Sequence, residues 1–324
     1  MVTEEFESFR EIFGAPPFIE PWIHFFVSPR EMRLVTAIGR ASVSVARAAS
    51  ILSESPSDTV ALLEDAYRRS VLDREESDAG VRYRAGTFAG RLKSFCLFGN
   101  YHVMPREVRA RLDEWDFEDY LERNGHFRAV LSADPDYDDC HNEWVLLLPE
   151  VEQMLDAATA IRLLPCDCKM LADRCGHSRE ICLILDARLL TDRTGGRDLG
   201  REEAKKLVRD LDAEGLVHTG GPPRWRESGP SVVCNCCACC CYPFRAARRL
   251  GTKGRWPRSR YLARFDRGPC RSCGRCASRC PFGAFSFAPQ QRVVSFDPAL
   301  CWGCGLCAGT CPTGAISMDP VTAG

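Results

Sequence analysis

Eighteen of the 20 cysteines in this 324-residue chain fall in its last 159 residues, and only Cys96 and Cys140 come earlier. A disulfide scaffold would spread its bridges over the whole fold, so thiols crowded at one end point instead to metal. The last stretch is ordered twice. Cys270-x2-Cys273-x2-Cys276-x3-Cys280-Pro281 returns 31 residues later as Cys301-x2-Cys304-x2-Cys307-x3-Cys311-Pro312. Between Phe265–Phe287 and Phe296–Met318, 12 of 23 aligned positions are identical. One supersecondary unit is therefore used twice, and a pseudo-two-fold relation between the copies is expected.

This spacing suits a 4Fe–4S cubane, whose four iron corners each take one soft thiolate. Two-residue gaps let a tight turn wrap three corners, and Gly274 and Gly305 relax that turn. The fourth cysteine is expected to start a helix pointing away, so that it reaches the other cluster. That assigns Cys270, Cys273, Cys276 and Cys311 to one cluster, and Cys301, Cys304, Cys307 and Cys280 to the other. Zinc sites instead pair two short gaps across a longer spacer. The repeat resembles the two-cluster bacterial-type ferredoxin family over about 60 residues. The resemblance implies low-potential one-electron transfer, with peptide N–H groups around the sulfurs helping to set the potential.

Ten further cysteines occupy 166–241: Cys166, Cys168, Cys175 and Cys182, then Cys234, Cys236, Cys237, Cys239, Cys240 and Cys241. Six nearly adjacent free thiols would oxidise readily, so coordination explains them better. Neighbouring residues of an extended segment point to opposite sides, and the 234–241 run is expected to feed two metal centres. Two more iron–sulfur clusters with two thiols to spare, one cluster with or without a zinc, an unusual non-cubane cluster, and zinc only all stay open, the first being favoured. This segment, ahead of a two-cluster ferredoxin, resembles a group of multi-cluster ferredoxin-like proteins of anaerobic bacteria. That resemblance implies electron transfer and names no substrate.

Apolar residues make up 45% and charged residues 27%, ordinary for a globular chain. The acidic start carries no signal-peptide pattern and no apolar run approaches a membrane span, so a reducing cytoplasm is expected. Charge is polarised. Residues 1–150 hold 17 Lys and Arg against 27 Asp and Glu, and residues 151–324 hold 26 against 17. Residues 245–279 alone carry 12 basic side chains and one acid, Asp266.

The first 28 residues read as an irregular arm. Helices are expected from Pro29 to Gly39, over 43–52, and from a Ser57-Asp58 cap, followed by a hairpin over 70–86. Three helices and a hairpin resemble a winged helix-turn-helix. Further helices are expected over 105–123, Val151–Leu164 and Arg201–Gly215, with a turn at Gly220–Pro223. The fold class is α+β: a winged-helix-like domain over 1–135, a Cys-rich domain over 136–245, a basic linker over 246–264 and a dicluster ferredoxin domain over 265–324.

Outside the two cysteine arrays the plainer readings win. Cys96 reads as buried apolar filler. Cys140-His141 reads as solvated loop, His177 as a non-ligand and His218 as a local hydrogen-bonding residue. Asp167 and Lys169 flank the first cysteine pair without an assigned role. The basic run balances anionic clusters or docks an acidic redox partner. Nucleic acid is disfavoured, because the expected DNA-reading half is acidic. No Walker A loop, Gly-x-Ser-x-Gly elbow or Rossmann fingerprint occurs. The expected function is electron relay between protein redox partners, as a subunit of a larger system without catalysis of its own. The alternatives are a redox-responsive winged-helix DNA-binding regulator and a reductase subunit with an open-coordination middle cluster.

Overall fold

The computed structural model describes residues 2–77, 80–126, 129, 144–186, 195–222 and 224–321. The chain divides into two compact units that part inside one helix, after Asp116. Cys140 and His141, and the polar loop expected over 132–143, lie outside the described residues.

In the first unit Phe6, Phe9 and Phe13 recur at helical spacing and are buried. They line α1 (Val2–Phe13), which is followed by a 3-10 helix over Pro17–Phe25. The irregular arm expected there is therefore helix, and the phenylalanine spacing was its signal. Helix α2 (Pro29–Ile38) begins on a Ser28–Glu31 capping box and stops at Gly39, at φ 59°. Helices α3 (Val45–Leu52) and α4 (Pro56–Arg68) follow. The cap of α4 is Ser55 rather than the expected Ser57-Asp58 pair. Its hydroxyl accepts from the Asp58 N–H at 3.1 Å, while Pro56 takes the first helical position, where no N–H is needed. Strands β1 (Leu72–Ser77) and β2 (Gly80–Ala85) form an antiparallel hairpin. Helix α5 (Phe88–Phe98) buries Cys96 completely, and α6 (Arg106–Asn124) leads into the second unit. Buried Arg91 donates to the carbonyl oxygens of Phe26 and Phe25 at 2.6 and 3.3 Å, which satisfies the end of the 3-10 helix. Burial lowers its pKa to about 10.

The second unit is built on a six-stranded antiparallel sheet. Its strands are β3 (Trp144–Leu146), β4 (Ile161–Pro165), β5 (Glu180–Leu185), β6 (Arg197–Asp198), β7 (Val217–Gly221) and β8 (Val232–Cys236), in spatial order β3-β7-β8-β5-β4-β6. Helices α7 (Leu148–Ala157), α8 (Asp167–Ala172), α9 (Arg201–Glu214), α10 (Trp225–Ser228) and α11 (Tyr242–Leu250) connect them. The helix expected over Val151–Leu164 ends at Ala157. The Asp186 carboxylate accepts from the N–H groups of Thr159 and Ala160 at 2.9 and 2.8 Å, and the chain turns into β4. There Ile161 and Leu163 are buried in strand alternation. Gly215 ends α9 at φ 96°. Met154, Leu155, Ala204 and Val208 from α7 and α9 pack on Leu163, Leu183 and Val233 of the sheet.

The repeat forms two more small sheets: β9 (Tyr261–Phe265) with β12 (Ile316–Pro320), and β10 (Phe285–Ala288) with β11 (Val293–Phe296). The pair Phe265–Ile316 becomes Phe296–Phe285 when 31 is added to one number and taken from the other. Hydrogen bonds obey the same exchange. Asp266 N–H donates to Ala315 O at 2.9 Å, and Asp297 N–H to Ala284 O at 2.8 Å. The copies are related by the pseudo-two-fold that the repeat predicts.

The segment expected as a basic linker is folded. Residues 246–250 continue α11, and Trp256 is only 1% exposed. The Arg258 carbonyl accepts from Val145 N–H at 2.9 Å, and Ser259 Oγ donates to Trp302 O at 3.0 Å. Glycine and charge content suggested a tether, but one buried tryptophan outweighs them.

Candidate metal centres

Short helices α12 (Arg275–Arg279) and α13 (Leu306–Thr310) organise the repeat cysteines. Each begins at a left-handed glycine, Gly274 at φ 72° and Gly305 at φ 78°. The third cysteine of each copy is inside the helix and the fourth closes it. Cys280 and Cys311 are thus C-terminal caps, not helix starts as expected. The extended backbone at these caps turns the thiol toward the other copy.

Two quartets result. Cys270, Cys273, Cys276 and Cys311 line one recess of about 330 Å³, and Cys280, Cys301, Cys304 and Cys307 another of about 300 Å³, both including their open mouths. The near-equal spaces and the swapped fourth member are what a duplicated unit produces. Backbone N–H groups donate to the sulfurs: Ser272 to Cys270 at 3.4 Å, Gly303 to Cys301 at 3.4 Å and Ala284 to Cys280 at 3.2 Å. Some burial works against Cys311, but the N–H and hydroxyl of Thr313 hold its pKa low. Burial pushes Cys304 up to about 12. Such thiols give up their protons when a metal arrives. Four converging sulfurs, N–H donors and empty space between them fit a 4Fe–4S cluster in each quartet.

The quartets differ at their rims. Arg271, Cys273 and Arg275 are exposed, whereas the matching Trp302 and Leu306 are buried. Trp302 stacks on Phe282 at 5.0 Å and meets Phe244 edge-on at 4.9 Å. Phe244, Trp302 and Leu306 share one apolar cluster with Cys236 and Cys241.

Those two cysteines belong to a second array. Cys182 and Cys234 are direct cross-strand partners on β5 and β8, and Cys236 lies two residues on, on the same face. Cys166 follows β4 as the cap of α8, and Cys241 caps α11. With Cys168, these six line one recess of about 1230 Å³ including its open mouth, and Cys237 and Cys240 also border it. Their thiols are mutually linked. Cys168 donates to Cys166 and lowers it, but burial and neighbouring charge leave Cys166 raised to about 11. Contact with Cys182 raises Cys234, contact with Cys234 raises Cys236, and burial raises Cys241.

The other four middle cysteines form a tighter group. Cys175, Cys237, Cys239 and Cys240 have all their sulfurs within 4.8 Å of one another. Cys237 and Cys240 pack with Ile181, Leu211 and Leu216, and Cys175 lies against the same apolar cluster. The ten middle thiols therefore form a recess of six and a tight set of four that meet at Cys237 and Cys240, and the 234–241 run feeds both.

Several residues here carried little sequence signal. Lys169 is 1% exposed, lines the six-thiol recess and donates Nζ to Ser178 O at 2.9 Å. Its position one residue past Cys168 was the only hint. Asn235 points away from its two cysteine neighbours. Its amide donates to Ile181 O at 2.6 Å, and its carbonyl faces His218 Nδ1 at 2.7 Å. Asp212 is 3.5 Å from His218 Nε2 and accepts from Arg279, beside Cys280, at 3.0 Å. The His177 ring and Ser178 N–H both donate to Glu214, at 2.9 and 2.7 Å, which fixes the loop carrying Cys175. These hydrogen bonds from Ser178 and His177 outweigh desolvation and lower the Glu214 pKa.

A family model described as a 4Fe-4S dicluster domain matches residues 269–315. The C-terminal segment is thus a ferredoxin-like iron–sulfur domain, attached to a unit with ten further cysteines. Comparison with curated proteins gives no match, and comparison with solved structures gives none either. No helix among the described residues is long and apolar enough to cross a membrane.

Proposed function

We propose that this protein relays single low-potential electrons between protein partners. In this reading Cys270, Cys273, Cys276 and Cys311 ligate one 4Fe–4S cluster, Cys301, Cys304, Cys307 and Cys280 a second, and the six-thiol recess a further iron–sulfur centre. Bound there, the clusters supply one-electron chemistry. The chain's own residues hold the ligands, donate N–H groups to sulfur and exclude water. The observation that carries the reading is the exchange of Cys280 and Cys311 between two similar thiol-lined recesses.

The rims suggest an order. The exposed Arg271, Cys273 and Arg275 make the first quartet the partner-facing end. The aromatic trio of Phe244, Phe282 and Trp302 sets the second quartet toward the six-thiol recess. Most of the basic run serves the fold. Arg249 pairs with Glu118, Arg260 with Glu150, Arg264 with Asp319 and Arg279 with Asp212. Exposed Arg267, Arg271 and Arg275, beside the first quartet, suit an acidic redox partner. The N-terminal unit reads as a winged-helix-like module for protein contact, since α4 exposes Asp58 and Asp65 where a DNA reader needs cations. Abundant thiols suit the reducing cytoplasm of an anaerobe, in a larger redox complex.

Anaerobic purification followed by Cys311→Ala tests the reading. The variant should lose the same cluster signal as Cys276→Ala. Loss instead of the signal removed by Cys301→Ala would refute the swapped ligation.

A further inference from the structure

The four-cysteine group is drawn tighter than a cluster would hold it. Cys175 Sγ lies 3.7 Å from Sγ of Cys237 and 3.7 Å from that of Cys240, and Cys239 Sγ is 3.8 Å from Cys240 Sγ. A tetrahedral ion with metal–sulfur bonds of about 2.3 Å sets its sulfurs about 3.8 Å apart. A cubane gives each cysteine its own iron, so the ligand sulfurs stand apart by the width of the inorganic core. The C-terminal quartets are of that second kind. Among the described residues no three of their sulfurs come mutually within 4.8 Å.

We propose that Cys175, Cys237, Cys239 and Cys240 bind a single tetrahedral zinc ion and no iron–sulfur cluster. Four thiolates close the coordination sphere, as in structural zinc sites, and zinc has no geometric demand to compete with the tetrahedron offered. A divalent ion with four thiolates carries net charge −2. The buried Lys169 ammonium, whose charge acts on Cys237, offsets part of it. The ion ties the loop at Cys175 to a turn 62 residues away. Because Cys237 follows Cys236 directly, the same ion fixes one wall of the six-thiol recess. This inference goes beyond the electron-relay reading and stands without it.

Zinc-edge X-ray absorption on the full chain, purified without oxygen, tests it independently of iron. The expected result is one zinc per chain with four sulfurs at about 2.3 Å. Absence of zinc, or zinc bound by nitrogen or oxygen, overturns the proposal. Cys239 is exposed, so Cys239→Ala removes a ligand with little disturbance of packing. Zinc should then fall below a tenth of its original content, with C-terminal iron and sulfide unchanged, and Cys239→His should retain it. Loss of about four iron and four sulfide from Cys239→Ala would show a cluster there instead. Should that variant not fold, the absorption edge of the unaltered protein decides alone.

Discussion

His218 and Asn235 face each other across the β7–β8 ladder, with Nδ1 2.7 Å from Oδ1. The Asn235 amide nitrogen is committed to the Ile181 carbonyl, so its oxygen is the acceptor and His218 carries its proton on Nδ1. This buried pair holds Asn235 on one face of β8 while Cys234 and Cys236 project from the other. Asn235→Ala strands two buried polar groups and should cost about 2–4 kcal/mol. Denaturant unfolding of the metal-loaded protein measures it. A loss below about 0.5 kcal/mol would mean the pair is not what fixes the strand.

The swapped quartets make a non-additivity prediction. Cys276→Ala and Cys311→Ala should each remove one cluster, and the double variant should lose no more iron than either alone. Cys276→Ala with Cys280→Ala should lose about twice as much. Iron and sulfide analysis separates the two pairs. Equal losses from both doubles would contradict the exchange.

Both copies place a left-handed residue at the same point, but only one of them is glycine. Gly303 has φ 67°, and a Cβ there would come within 2.0 Å of Tyr261 O. The equivalent Ser272 has φ 51°. Gly303→Ala should therefore cost more than about 2 kcal/mol, while Ser272→Gly should be neutral or stabilising. Thermal unfolding of both variants would show the contrast, and a tolerated Gly303→Ala would count against the turn described here.

Charge at the first quartet should govern encounter. Arg271→Glu with Arg275→Glu should slow electron exchange with an acidic flavoprotein by about tenfold at low ionic strength, an effect that salt removes. Iron content should stay unchanged. Stopped-flow rates across a salt series are the check, and an unaltered rate would relocate the docking end.

The C-terminal gathering of cysteines was legible because three of each quartet lie within seven residues of one another, at Cys270–Cys276 and Cys301–Cys307. The repeat then doubled the signal. The grouping of the middle cysteines was not legible, because it depends on the pairing of Cys182 with Cys234 and on closure between Cys175 and Cys237. Alternation in the 234–241 run pointed to more than one set of thiols, and Cys175, Cys237, Cys239 and Cys240 do gather closely. The helix expected over Val151–Leu164 failed because Ile161–Leu164 is apolar at both periods, and only the Asp186 side chain decides the turn. The basic linker failed for a similar reason: local composition carries no record of where Trp256 is buried.

Iron, sulfide and zinc analysis of the oxygen-free protein, with electron paramagnetic resonance after reduction, tests the central reading most directly. Two C-terminal cubanes require at least about 8 iron and 8 sulfide per chain, and a four-iron centre in the six-thiol recess would bring iron to about 12, beside one zinc. The reduced protein should show the overlapping signals of neighbouring clusters. A colourless sample holding zinc alone, with no paramagnetic signal on reduction, would contradict it.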